Sequence, residues 1–339
     1  MDPAADPAAA AIDSRRRLAR GVAQSSDAGA QEGCSPTGRQ RREHYALGSL
    51  ADMHDAQPPR SAAASLLTNF SLEMTGKDLE QLQAARDVIP IGTYINVTFL
   101  ANEDFEMRVA AAAGVRANGF TPVPHISARR LASEHALKQF LSALQAADAS
   151  ENLFVVAGDP AAPQGPYEDA LAVIRSGLLE VHGGRRVSIA GYPEGHPGID
   201  DALLWSALQL KAAELRDRGI AGDIITQFGF DIEPVLTWVQ AVRALGIEMP
   251  IRIGVPGPAG IRRLLAYARR FGISVGASIA REYGLSLTNL VSTAGPERFI
   301  ADLQDAYLAD RHGELGVHFY TFGGLRATSE WVENFAGAR

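Results

Sequence analysis

The spacing of apolar positions changes character near residue 69. Before that point apolar periodicity is poor, and segments such as DPAADP, AQSSDAGAQEG and AQPPRS carry turn and linker chemistry. Large aliphatic residues are too sparse there to offset the entropy of ordering. Residues 1–62 are expected to be a disordered N-terminal tail, with 63–339 as the folded domain. From Asn69 onward, short aliphatic or β-branched runs alternate with longer amphipathic stretches. The runs are NFSLEM (69–74), TYINVTF (93–99), FTPVPHI (120–126), NLFVVAG (152–158), RVSIAGY (186–192), DIITQF (223–228), PIRIGV (250–255) and GVHFYTF (316–322). Near-continuous apolar strands separated by helices indicate a parallel sheet buried on both faces. Eight such units predict a (β/α)8 TIM barrel, an α/β fold. A doubly wound open sheet is the other architecture considered, and no strand is followed by the Gly-x-Gly-x-x-Gly turn that would favour it. The gap 256–315 is long enough for extra helices between strands seven and eight.

A barrel of this kind carries its site at the C-terminal ends of the strands. Polar residues collect there: Glu73, Asn96 and Thr98, His125, Asp159, Gln227, then His318, Tyr320 and Thr321. Strand five runs into GYPEGHP (191–197), which loads Tyr192, Glu194 and His196 onto a segment stiffened by two prolines. Singly, each has an ordinary explanation: Glu73 as a helix cap or a partner of Lys77, Asp159 before Pro160 as turn chemistry, His125 as a satisfied core histidine. Together, at one end of successive strands, they argue for a site.

Composition narrows the chemistry. A net charge of −7 with pI near 5.7 argues against nucleic acid or an anionic membrane as partner. No apolar run reaches the length needed to span a bilayer. The lone cysteine, Cys34, cannot form an internal disulfide and fits a reducing cytoplasm. His-x-His metal spacing, a nucleophile elbow and a phosphate-binding P-loop are all missing, so no metal site is expected, and the lysines fall in helical stretches. Two carboxylates among neutral donors and apolar walls suit an organic cofactor with one acid for proton transfer.

Four motifs in order, VPHIS, VVAGDP, IAGYPEGHP and DIITQFGFD, together resemble the methylenetetrahydrofolate reductases. The resemblance runs from about Asn69 to Phe322. It implies a TIM barrel holding FAD at its C-terminal face, an oxidoreductase of one-carbon metabolism acting on a folate, and NAD(P)H as electron donor. Carried across, Glu73 is similar to the glutamate that protonates the folate and opens its imidazolidine ring to an iminium. That role needs surroundings that favour the neutral acid. Asp159 resembles the aspartate set between flavin and pterin, and Gln227 the glutamine that hydrogen-bonds the pterin. Thr98, His125, Gly158, Tyr167, Tyr192 and His196 fall where the family contacts FAD, with Lys211 for the phosphates.

The chain also departs from the pattern. Ala157 stands where the family usually carries an arginine, and LEMTGKD replaces the usual Phe-Phe-Pro-Pro-Lys while keeping the glutamate. The helix after GYPEGHP offers Lys211 and few other basic residues. After strand seven, Tyr267 is the stand-in for substrate-facing residues; after strand eight, Arg326 is the candidate for a folate carboxylate. The leading expectation is an FAD-linked methylenetetrahydrofolate reductase. The alternatives are a flavin-free reductase with direct hydride transfer from NAD(P)H, a pterin-binding methyltransferase-type barrel and a non-catalytic folate- or flavin-binding protein. The chain is expected to be the catalytic barrel alone, and a homo-oligomer is compatible with the composition.

Overall fold

The barrel read from the strand pattern is present in a computed structural model, which describes residues 66–100, 103–270 and 293–337. Its strands are β1 (Ser71–Met74), β2 (Tyr94–Val97), β3 (Thr121–Ser127), β4 (Asn152–Val156), β5 (Arg186–Gly191), β6 (Ile224–Phe228), β7 (Ile251–Pro256) and β8 (Leu315–Tyr320). All neighbours pair in parallel, and β8 closes on β1 with Ser71 opposite His318. Each of the eight expected runs is a strand, with ends differing by one or two residues. The expected tail, residues 1–62, lies outside the described residues, as does the stretch 276–291 expected to be helical. The inserted layer before β8 includes helices Ile261–Arg270, Glu297–Ala306 and Ala309–His312. A short antiparallel pairing of Ala259–Gly260 with Thr293–Ala294 accompanies them.

Alternation along the strands builds two separate cores. One face of each strand meets the surrounding helices: Leu72, Ile95, Leu153, Val187, Ile224, Ile251 and Phe319 all belong to this outer core. The other face points into the barrel, where Val123, Phe154 and Ile225 form a small apolar plate with Tyr94, Val156 and Ala190 against it. Below the plate, at the N-terminal end of the strands, Ser188 donates to Asp223 at 2.5 Å and Arg252 Nε pairs with Asp223 at 2.7 Å. Arg252 also donates to the Asn69 carbonyl and lies over the Tyr94 ring. A buried charge pair is tolerated when its remaining groups find partners, and these do.

Helices start where the strand-to-helix loops supply a cap. Asp104, Ser133, Asp169 and Asp231 each accept a backbone N–H from the first turn of the helix that follows. Pro234 sits in the first turn of Ile232–Ala244, where its missing N–H costs nothing.

Barrel closure is tight where β6 meets β7. A Cβ on Gly254 would stand 2.4 Å from the Thr226 carbonyl oxygen and 2.9 Å from the Gln227 backbone. Backbone in a closed barrel cannot retreat as a side chain can. Gly254→Ala is expected to cost about 1–3 kcal/mol, measured as a lower denaturant midpoint. An unchanged midpoint would show that the strands can part there freely.

Candidate active site

Strand ends and the loops after them enclose a cavity of about 600 Å³ at the C-terminal mouth of the barrel. Glu73, Thr98, His125, Tyr192, Gln227 and Tyr267, six residues singled out from sequence, line it together. Tyr320 and Thr321 from the end of β8 complete the wall, with Ala190 and Gly191 leaving room beside β5. The apolar plate forms its floor through Phe154, Val156 and Ile225.

Glu73 is held at the meeting of β1 and β8. Period-two alternation puts Ser71 and Glu73 on one face of β1, and His318 and Tyr320 on the facing side of β8. Ser71 Oγ lies 2.9 Å from His318 Nδ1, and His318 Nε2 lies 3.7 Å from Glu73 Oε2. His318 is fully buried, and its Nε2 has no hydrogen-bond partner. When the Ser71 hydroxyl donates to Nδ1, the remaining ring proton sits on Nε2, facing the carboxylate. The Thr321 hydroxyl donates to the Glu73 carbonyl and ties the end of β8 to the same residue.

The imidazole and phenol groups around Glu73 are buried. Burial pushes the His125 imidazole down to about 4, against the opposing pull of the Glu73 charge, so the ring is neutral at neutral pH. Its Nε2 is buried without a partner, which leaves a polar atom free for a ligand in the cavity wall. Burial raises the Tyr320 phenol well above its ordinary value, with Glu73 adding to the effect, and Tyr320 donates to the Thr226 carbonyl at 3.1 Å. Burial raises the Tyr192 phenol too. The Gln227 side-chain oxygen accepts from the Phe228 N–H, leaving its amide nitrogen for the cavity. Tyr267 stacks on Phe322 with centroids 4.0 Å apart, making a flat apolar edge.

The other expected residues stand elsewhere. Asp159 is largely exposed and bound by both arms of its carboxylate to Arg130, at 2.6 and 2.7 Å. Gly158 has φ +92 and would place a Cβ 2.0 Å from Ser127 Oγ, so its glycine is required by the turn itself. Tyr167 is buried beside Glu134 and Lys138, away from the cavity lining. His196 is exposed, accepts from the Gly198 N–H and meets Tyr192 edge-on, so GYPEGHP presents its tyrosine inward and its histidine outward. Lys211 is buried on the helix Asp201–Asp217, which packs on Ala170–Arg175, and burial lowers its amine to about 8. Arg326 is taken up by Asp87, Glu330 and the Ala84 carbonyl.

Sequence reading passes over Ser71 as a site residue, and with it two cations in the cavity wall, Lys77 and Arg263. Ser71 is legible: it lies two positions before Glu73, and so on the same face. Arg263 is not, since its place depends on the inserted helix folding back until its Nη1 donates to the Phe322 carbonyl.

The family model described as methylenetetrahydrofolate reductase matches residues 68–336. Methylenetetrahydrofolate reductase 2 of Saccharomyces cerevisiae is 34% identical over 86 residues, covering 25% of this chain and 13% of that protein. Methylenetetrahydrofolate reductase 1 of Schizosaccharomyces pombe is 36% identical over 153 residues, covering 43% and 24%. The matched segments thus span less than a quarter of those relatives. Among solved structures, the dihydropteroate synthase of Thermus thermophilus superposes with a TM-score of 0.44 at 13% identity, over 80% of this chain and 94% of that one, a likeness too remote to inform the site.

The burial of Lys211 has a measurable sign. Its amine titrates near 8 in the folded chain against an ordinary 10.5, so between those limits the unfolded chain binds more protons and stability rises with pH. Below pH 8 the buried charge is a net cost. Lys211→Met is therefore expected to stabilise the protein by about 1–3 kcal/mol near pH 7, with the gain shrinking as pH rises toward 10.5. A destabilised variant, or one whose difference from wild type ignores pH, would contradict this account.

Proposed function

The chain belongs to the methylenetetrahydrofolate reductase family, and from that premise we propose that it reduces 5,10-methylenetetrahydrofolate to 5-methyltetrahydrofolate by hydride transfer. The observation that carries the reading is the cavity that holds Glu73 beside two buried imidazoles, His125 and His318. Reduction needs one proton and one hydride. Glu73 gives the proton to the amine nitrogen of the imidazolidine ring; the C–N bond breaks and an iminium carbon remains. The hydride then adds to that carbon as the methyl group forms. A neutral His125 beside Glu73 adds no positive charge that would disfavour the cationic iminium. His318, braced by Ser71, points its Nε2–H at Glu73 and steadies the carboxylate left after the proton has gone. Gln227 offers its amide to the pterin edge, and the Tyr267–Phe322 stack offers it a flat face. Lys77 and Arg263, both in the cavity lining, are the candidates for the folate carboxylates. The lone Cys34 supports a cytoplasmic setting.

The expected FAD divides into a part that fits and a part that does not. The unpartnered His125 Nε2, with Thr98, Tyr192 and the small Ala190–Gly191 edge, suits a planar ring with polar edges. When bound, a flavin would supply the hydride. The residues expected for its phosphates do not fit: Lys211 is buried, His196 points outward, and Asp200 and Asp201 put negative charge at the start of the helix that follows. That mismatch favours a second reading, in which a reduced nicotinamide occupies the ring site and passes hydride directly to the folate.

The absorption spectrum of the purified protein separates the two readings. A yellow protein bleached anaerobically by methyltetrahydrofolate supports the flavin; a colourless one that oxidises NADH with methylenetetrahydrofolate supports direct transfer. A colourless protein inactive with added FAD would sink the reductase reading. Glu73→Gln is expected to lower folate reduction about 10²–10⁴-fold while dinucleotide binding persists. Ser71→Ala should keep activity but move its pH profile, because His318 loses its brace. Full activity in Glu73→Gln would remove the carboxylate from the mechanism.

A further inference from the structure

Two arginines on the barrel rim take no part in the chemistry above. Phe99 follows the cavity residue Thr98, and its ring lies close to two guanidinium groups, Arg108 at 4.1 Å and Arg130 at 5.1 Å from the centroid. Arg108 comes from the first turn of the helix Phe105–Ala117 and also covers the Phe140 ring at 4.7 Å. Arg130 ends the short 3-10 turn Ala128–Arg130 after β3 and grips Asp159 after β4. The whole group stands on the β2–β4 arc of the mouth, at the end of the strands that carries the cavity.

Arg108 is the unusual member. Among the described residues it forms no ion pair, and its one hydrogen bond runs from Nε to the Asp104 carbonyl at 3.3 Å. Burial pushes its guanidinium down to about 10; Glu103 and Asp104 oppose that pull and Arg130 adds to it. Asp104 accepts from the Met107 N–H and Glu103 Oε2 from the Leu100 N–H. Glu103 Oε1 is buried without a hydrogen bond and adds a nearby charge without pairing with Arg108. A stacked arginine keeps its planar fork oriented, and a half-buried one with no ion pair favours an oxyanion.

The other cations leave this arc a distinct task. Lys211 is buried, Arg326 is neutralised by Asp87 and Glu330, and Lys77 and Arg263 line the cavity beside Tyr267 and Phe322. A folate and a dinucleotide each bring a ring to the cavity and an anionic end to its rim. We propose that Arg108 and Arg130, held by Phe99, bind the diphosphate of the dinucleotide that delivers hydride, while the folate carboxylates go to Lys77 and Arg263. This assignment rests on the reductase reading for the identity of the dinucleotide, and Arg130 reaches the ligand without releasing Asp159, since its fork has further donors.

Calorimetric titration of the intact chain with ADP, and separately with a tri-γ-glutamate peptide, tests it without any need for catalysis. ADP carries the diphosphate, and the peptide stands for a folate tail. Arg108→Gln and Arg130→Gln are each expected to raise the Kd for ADP about tenfold or more and to leave peptide binding unchanged. Arg116→Gln, on the same helix but paired with Asp148, should change neither. Arg108→Lys, which keeps charge and loses the fork, should fall between wild type and Arg108→Gln, and serves if the glutamine variant does not fold. Wild-type protein that ignores ADP, equal ADP affinity in the folded variants, or loss of peptide binding instead would each overturn the proposal. ADP binding lost in the variants, from a wild type that reduces no folate, would fell the reductase reading and leave the diphosphate site standing.

Discussion

An apolar plate of three side chains organises this barrel. Val123, Phe154 and Ile225 meet inside the ring of strands and separate an ion pair at one end from a cavity at the other. Closure makes this arrangement unavoidable: inward positions recur every second residue, so each strand contributes to layers at fixed heights. A strand with a polar residue two positions beyond its plate residue must offer it to the mouth. His125 follows Val123 in this way, and Gln227 follows Ile225. The plate also denies water a path from below, which is why the imidazole and phenol groups of the wall are desolvated from beneath.

Desolvation then decides what those groups can do. In water, a glutamate flanked by two histidines would tend to gather positive partners. In this pocket His125 is held neutral by burial, and His318 keeps one nitrogen on Ser71 and one facing Glu73. The carboxylate therefore faces an N–H, and among the described residues no lysine or arginine pairs with it. The apolar floor and the Tyr267–Phe322 stack supply binding area, so polar atoms are few and each has a direction. Proton transfer at a ring nitrogen and tolerance of a cationic carbon call for this combination.

Legibility in the sequence followed the range of the forces involved. Strands and their polar ends are readable because alternation is local: eight runs are eight strands, and seven of the residues chosen at their ends, Glu73, Thr98, His125, Tyr192, Gln227, Tyr320 and Thr321, share one cavity. Ser71 obeys the same rule and needed only attention to the position two before Glu73. Loop residues were harder. GYPEGHP was legible as a rigid loop that brings an aromatic to the site, yet which of Tyr192 and His196 turns inward depends on the chain doubling back after Gly195. Asp159 reads from sequence as a site residue with turn chemistry as its ordinary explanation, but its partner Arg130 lies 29 positions earlier.

Cations were the least legible, for a physical reason. An arginine or lysine is available to a ligand only when the fold leaves its charge unspent, and that is settled by residues far away in the chain. Lys211 looked suitable because it follows the loop that presents the ring-binding residues; helix packing buries it instead. Arg326 follows β8 as expected, yet Asp87 from the loop before β2 claims its guanidinium. Arg108 carries no motif, and it stays unpaired because two aromatic rings, not a carboxylate, hold it in place; Arg130 is gripped by Asp159 and keeps Nη1 outside that bridge. A phenyl face orients a guanidinium without cancelling its charge, whereas a salt bridge does both. A strand-end rim can thus keep a cation unspent where aromatic side chains, as around Arg108, do the holding.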